Sequence, residues 1–171
     1  MLPLRERRLS LSLVVISLYR ALGAALAIAI MEALAAIAQE PISRIPFVTS
    51  IVLVLALPNS PAAQPRALIG GHMLSCLAGW LCLTALGPRE TASAVAVGLA
   101  SLAMIGAGML HPPAGLDAFL IATQGLPVRW IFNPVLVGTV LLAVYARLWA
   151  EGERNLLCPL LDRPSHSREG R

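Results

Sequence analysis

The chain has 171 residues, of which 57% are hydrophobic, 13% charged and 5% aromatic, with a mean hydropathy of +0.77. Soluble domains carry about 25% charged residues, yet between residues 45 and 146 only Arg66, Arg89, Glu90, Asp117 and Arg129 are charged. That excludes a soluble enzyme, a disordered tail and a nucleic-acid module, and leaves an all-α, polytopic helical membrane protein.

Residues 1–12 form a basic flank with Arg5, Arg7 and Arg8. The apolar run that follows continues to Ala38, too long for a signal peptide's core, and reads as a first span over Leu13–Ala38. A polar stretch, Gln39-Glu40-Pro41, leads to a short segment, Pro46–Leu57. The third segment is Ala67–Leu86, the fourth Thr91–Leu110, the fifth Pro113–Thr123 and the sixth Trp130–Trp149. Four have about the 20 residues that a bilayer core requires, and the second and fifth do not. The order long–short–long, twice over, reads as an internal repeat, and short Pro-bounded segments at matching positions mark a transporter binding site. The membrane domain is therefore 13–150, followed by a flexible, charged tail over 151–171.

All 13 basic residues are Arg. Their excess at the chain ends signals membrane orientation rather than nucleic-acid binding, and it places both termini in the cytoplasm under either four or six crossings. Cys76, Cys82 and Cys158 have no metal-binding or disulfide spacing and read as packing residues or tail. No phosphate loop, zinc spacing, nucleophile elbow or triad is present, so nothing recommends an enzyme, and no cofactor or metal is implied.

Two stretches carry chemistry. The first is the turn Pro58-Asn59-Ser60-Pro61-Ala62-Ala63-Gln64-Pro65-Arg66 leading into Gly70-Gly71-His72. Pro65 suits the first turn of a helix, whose free N–H groups carry partial positive charge. Arg66 lies in that turn and His72 about 9 Å further along the axis. With Ser60 and Gln64 they compose an anion site of helix end, guanidinium and imidazole. The plainer reading makes Arg66 an interfacial anchor, His72 a hydrogen-bonded core residue and the glycines helix-packing contacts. The second stretch is His111-Pro112-Pro113-Ala114-Gly115, where two prolines break one helix and begin the next. Such a break is tolerated in a bilayer only inside protein or against a water-filled cavity.

Asp117 is the only carboxylate between Glu90 and Glu151. It is a functional candidate by its depth, or a dipole partner in the first turn of the fifth segment. Arg20 is expected to snorkel to the cytoplasmic face. Glu32 is expected near the outer interface or beside an Arg from another helix.

The two stretches resemble the signatures of the HPP family, the second being the tripeptide His-Pro-Pro that names it. The resemblance covers roughly residues 14–150. It implies an integral membrane protein of four spans, placed in the bacterial inner membrane. Nitrite transport is associated with plastid and cyanobacterial members. Some members carry C-terminal CBS domains, for which the residues after the last segment are too few. The pattern departs from the family at Val48-Thr49-Ser50-Ile51 and at Gly115-Leu116-Asp117-Ala118. A carboxylate beside an anion site repels nitrite unless it is protonated or paired.

The resulting expectation is a permease or channel for a small inorganic anion, nitrite by resemblance, in contact with the lipid bilayer. Arg66, His72, His111, Asp117, Gln64 and Ser60 would bind the solute. Pro58, Pro65, Pro112 and Pro113 would break the helices. Two alternatives stay open: a non-transporting scaffold or partner subunit, and a proton or cation pathway built on Asp117 and Glu32. So thin a bundle also admits a homo-oligomer with its site at the subunit interface.

Overall fold

Prolines and glycines set the helix boundaries. The computed structural model describes residues 4–38 and 45–157, with helices and turns but no strand among the described residues. The helices are α1 (Leu4–Ala38), α2 (Ile45–Ala56), α3 (Pro65–Leu86), α4 (Glu90–Gly106), α5 (Gly115–Gln124) and α6 (Val137–Gly152). Pro65 occupies the first turn of α3, and Gly87, with φ +74°, ends it. Gly125 closes α5 in the left-handed conformation that glycine adopts without strain.

Among the described residues, three helical stretches are long and apolar enough to cross a membrane: Ser12–Ile37, Pro65–Leu86 and Ile131–Leu157. The fourth apolar segment, expected to run to Leu110, is cut short. Its helix stops at Gly106, Gly108 turns at φ +64°, and α4 has 17 residues. Before α6 the backbone leaves helical geometry at Asn133, just ahead of Pro134, which cannot donate a helix hydrogen bond. At its far end the helix runs beyond residue 150, since Glu153–Leu157 continues it as a wider π turn. The rest of the tail (158–171, including Cys158), together with Arg44 and the polar stretch 39–41, lies outside the described residues.

The centre is a three-helix unit of α3, α4 and α5, built from small residues. Ala92, Ala96 and Ala100 repeat every fourth residue on α4, with Met104 continuing the row. Ala114, Ala118 and Ala122 do the same through α5, and Ala78 and Cys82 face them from α3. Residues four apart share one helix face, so these rows bring the backbones close. A Cβ on Gly79 would stand 2.8 Å from the Ala118 Cα, which fixes how tightly α3 and α5 cross.

Helices α1, α2 and α6 pack around this unit. Phe47, Ile51, Val54 and Leu55 of α2 are buried with Leu68, Leu142 and Ala27. The Phe47 ring lies where a side chain on Gly138 would be. Arg20 on α1 pairs with Glu153 through two bonds of 2.9 and 2.8 Å and donates to the Ala56 carbonyl at 3.1 Å. The middle of α1, the C-terminal end of α2 and the end of α6 therefore meet. Tyr19 stacks on Trp149, and the Tyr145 hydroxyl donates to the Gly23 carbonyl. Further along, α1 and α6 diverge around an apolar groove of about 520 Å³ lined by Ile30, Met31, Leu34, Ile37, Val137 and Leu141. Leu18, Ile37, Leu102, Ile105 and Leu148 point outward, each more than half exposed, as a lipid-facing surface requires.

Candidate functional site

His72, Ser75, Cys76 and Gly79 follow the i, i+3, i+4, i+7 spacing of one helix face. That face of α3 meets α5. His72 is fully buried, and its Nδ1 lies 2.5 Å from Oδ2 of Asp117, also fully buried in the first turn of α5. The carboxylate that seemed unfavourable beside an anion site is thus paired. On the other side of the ring, His72 Nε2 is 2.9 Å from the Ser50 hydroxyl of α2. Ser50 Oγ is also 2.9 Å from His111 Nε2. The His111 Nδ1–H donates to the Ala62 carbonyl at 2.7 Å. The two imidazoles lie 5.1 Å apart between centroids, and the Phe47 ring stacks on His72 at 5.6 Å.

These contacts make one continuous chain: Asp117, His72, Ser50, His111 and the Ala62 carbonyl. Its hydrogen positions follow from the acceptor at the end. A carbonyl can only accept, so His111 carries hydrogen on Nδ1. With His111 Nε2 bare, Ser50 donates to it and accepts from His72 Nε2–H, so one proton shared between Asp117 Oδ2 and His72 Nδ1 leaves that pair with no net charge. That neutrality makes its burial in an apolar bundle tolerable. The second carboxylate oxygen, Oδ1, is buried with no hydrogen-bond partner, and the Cys76 thiol faces the Asp117 side chain.

The break at Pro112–Pro113 is closed by α3. Ser75 Oγ donates to the Ala114 carbonyl at 2.5 Å and accepts from the Ala118 N–H at 3.2 Å, satisfying two backbone groups that the prolines leave open. Gly71 lets the break approach α3, since a Cβ there would stand 2.7 Å from the His111 Cβ and 3.0 Å from the Met109 carbonyl oxygen.

The structure brings His72, His111 and Asp117 together and leaves Arg66 apart from them. Arg66 is exposed at the start of α3, where it donates to the Ala107 carbonyl at 3.2 Å. Gln64 donates to the carbonyls of Pro58 and Ser60 and so holds the turn in shape. The Ser60 hydroxyl is buried without a hydrogen-bond partner. Glu32 is exposed on α1, whereas the cluster is buried. Pro65 begins α3, Pro112 and Pro113 begin a short turn over Pro112–Ala114, and Pro58 lies in the turn after α2. A polar cleft of about 270 Å³ opens beside the 58–65 turn, lined by Pro58, Asn59, Gln64, Pro65, Arg147 and Arg154. Both arginines share Glu151 as an ion-pair partner. Ala63, next to the carbonyl that receives His111, lines this cleft too.

Sequence reasoning missed Ser50, Ser75, Arg147 and Arg154 as contributors. Ser75 was detectable from its place on the His72 face. Ser50 carries no such local signal, because a serine in an apolar helix ordinarily bonds back to its own backbone.

A family model described as HPP, transmembrane region, matches residues 10–156. The chain belongs to the HPP transmembrane family. It is 40% identical over 109 residues to a transmembrane protein of Dictyostelium discoideum, and 38% identical over 109 residues to a second from the same organism. Each match covers 58% of this chain but only 38% and 35% of those relatives, so the chain corresponds to little more than a third of their length. No solved structure matches it. This HPP chain is an integral membrane protein in which the turn between α2 and α3 meets the break at His111-Pro112-Pro113 through the Ala62–His111 hydrogen bond.

Proposed function

We propose that this protein is a permease for a small inorganic anion, with nitrite the substrate that the family resemblance suggests, and that it moves the anion together with a proton. The observation that carries the reading is the buried chain Asp117–His72–Ser50–His111 inside a largely apolar bundle. Ionisable groups inside a membrane are costly and mark ion or proton pathways. Arg66, Arg147 and Arg154 then act at the mouth. Their positive field raises the local anion concentration, and they do not ligate the solute at the histidines.

One observation favours a second reading, a scaffold that transports nothing. All four ring nitrogens of His72 and His111 already have protein partners. A solute could bond to either ring only by displacing one of these partners, Ser50, Asp117 or the Ala62 carbonyl. The test is flux in liposomes holding the purified chain and a pH-sensitive dye. Nitrite-dependent, proton-coupled flux supports the permease. Absence of any anion-dependent flux favours the scaffold. Flux of protons alone, lost in Asp117→Asn and kept in Arg66→Ala, favours a proton pathway.

A further inference from the structure

We infer that Asp117, His72, Ser50 and His111 form a two-state proton relay in which the Ser50 hydroxyl is the reversing element. The inference deepens the permease reading and rests on it for its purpose.

The relay follows from counting hydrogens along the chain. In the first state His111 holds hydrogen on Nδ1 only, bonded to the Ala62 carbonyl. Its bare Nε2 accepts from the Ser50 hydroxyl, and Ser50 Oγ accepts from His72 Nε2–H. One further proton lies between His72 Nδ1 and Asp117. In the second state every one of these bonds is kept and two reverse direction. The His72 Nε2–H passes its proton to Ser50 Oγ as the Ser50 O–H passes its own to His111 Nε2. The shared proton settles on His72 Nδ1 and donates to the Asp117 carboxylate. Four labile hydrogens are present before and four after, so no proton enters or leaves the bundle. What moves is positive charge, from the Asp117 side to His111.

The geometry suits such a step. Ser50 Oγ is equidistant, at 2.9 Å, from the two Nε2 atoms, and a serine hydroxyl can donate and accept at once. Its hydrogen rotates without displacing a heavy atom. The second state separates an imidazolium at His111 from the Asp117 carboxylate, which costs Coulomb energy in a medium of low dielectric constant. An anion beside the Pro61–Ala63 turn offsets that cost, because the charged ring then bonds to a carbonyl of that same turn. Ala63, Gln64, Arg147 and Arg154 line a cleft at this place. Occupancy of the cleft and position of the proton are then linked, and each biases the other equally.

The experiment is solid-state nitrogen NMR on the full chain in bilayers, labelled with 15N-histidine. His166 is replaced by His166→Gln, so that only His72 and His111 report. The expected result is reciprocal exchange. The fractions of His72 Nε2 and His111 Nε2 that carry hydrogen sum to one, and added nitrite raises the His111 share. Ser50→Thr keeps the exchange. Ser50→Ala abolishes it, with the fold checked by an unchanged His111 Nδ1–H signal. Wild-type Nε2 fractions that do not vary reciprocally would overturn the relay, whether or not the alanine variant folds. So would exchange that persists in a folded Ser50→Ala. Reciprocal exchange that ignores nitrite overturns the link to transport and leaves the relay standing, so the two failures are read separately.

Discussion

Gly71 has no room for a side chain because the Cβ of His111 lies 2.7 Å from the place its own Cβ would take. The obstruction is the rigid break before Pro112 rather than a flexible side chain, so the cost cannot be relaxed locally. Gly79 meets the same limit against the Ala118 backbone, whereas Gly98 has nothing within 4 Å. Gly71→Ala and Gly79→Ala are expected to lose roughly 1–3 kcal/mol by overpacking. Gly98→Ala is expected to be neutral or to gain up to about 1 kcal/mol of helix propensity. Thermal unfolding in detergent ranks the three.

Ser75→Ala should behave as the loss of two backbone partners. The Ala114 carbonyl and the Ala118 N–H would both be buried without their hydrogen bond, at a cost of roughly 1–3 kcal/mol per orphaned group. Ser75→Thr, which keeps the hydroxyl, should be milder. A lowered unfolding temperature for the alanine variant, with a smaller drop for threonine, is the expected pattern.

Asp117 separates stability from proton chemistry. In Asp117→Asn the amide can donate to His72 Nδ1, so the fold should survive with a modest loss. In Asp117→Ala the ring loses its partner altogether, and breaking a buried pair of this kind costs about 3–5 kcal/mol. Neither variant can hold the shared proton. Both should therefore lose proton-coupled flux, while only the alanine variant unfolds at markedly lower temperature.

Arg66→Ala should leave the unfolding temperature almost unchanged, because the side chain is exposed and makes one bond, to Ala107. Its effect should appear instead in the rate of nitrite uptake at low ionic strength. That difference should fade as salt screens the field, with a Debye length near 8 Å at about 0.15 M. Uptake by the variant equal to wild type at low salt would remove Arg66 from the mouth.

The Arg20–Glu153 pair is partly shielded, with side-chain exposures of 26% and 15%. A double-mutant cycle of Arg20→Ala and Glu153→Gln is expected to give a coupling of about 1 kcal/mol, at the upper end for pairs that water still reaches. Arg20→Ala should cost more than Glu153→Gln, since it also abandons the Ala56 carbonyl.

Much of the architecture was legible in the residues. Charge depletion and apolar length indicated a helical membrane protein, and prolines and glycines marked most of the breaks. His72, His111 and Asp117 stood out because polar groups are rare in such a chain. What the residues did not disclose was which of them meet. His72 and Asp117 are 45 positions apart, and only the crossing of α3 with α5 at Gly79 joins them. Axial distance alone puts Arg66 near His72. Six residues turn a helix through about 600°, which leaves the two side chains roughly 120° apart around the axis. Ser75, at three residues, stays on the His72 face. The fourth segment was read as long because its composition stays apolar past Gly106, although the glycines there end the helix.

The groove between α1 and α6 gives the surrounding lipid a part in the fold. Tyr19, Arg20 and Gly23 tie α1 to α6 near one end, but from Ile30 to Ile37 the wall facing α6 is hydrocarbon across about 520 Å³ of space. In a bilayer that space is open to acyl chains, so lipid rather than protein completes the packing of α1 against α6 there. Gly138 lines the same groove and meets the Phe47 ring, which stacks on His72, so a single side chain stands between the lipid-facing groove and the buried imidazole.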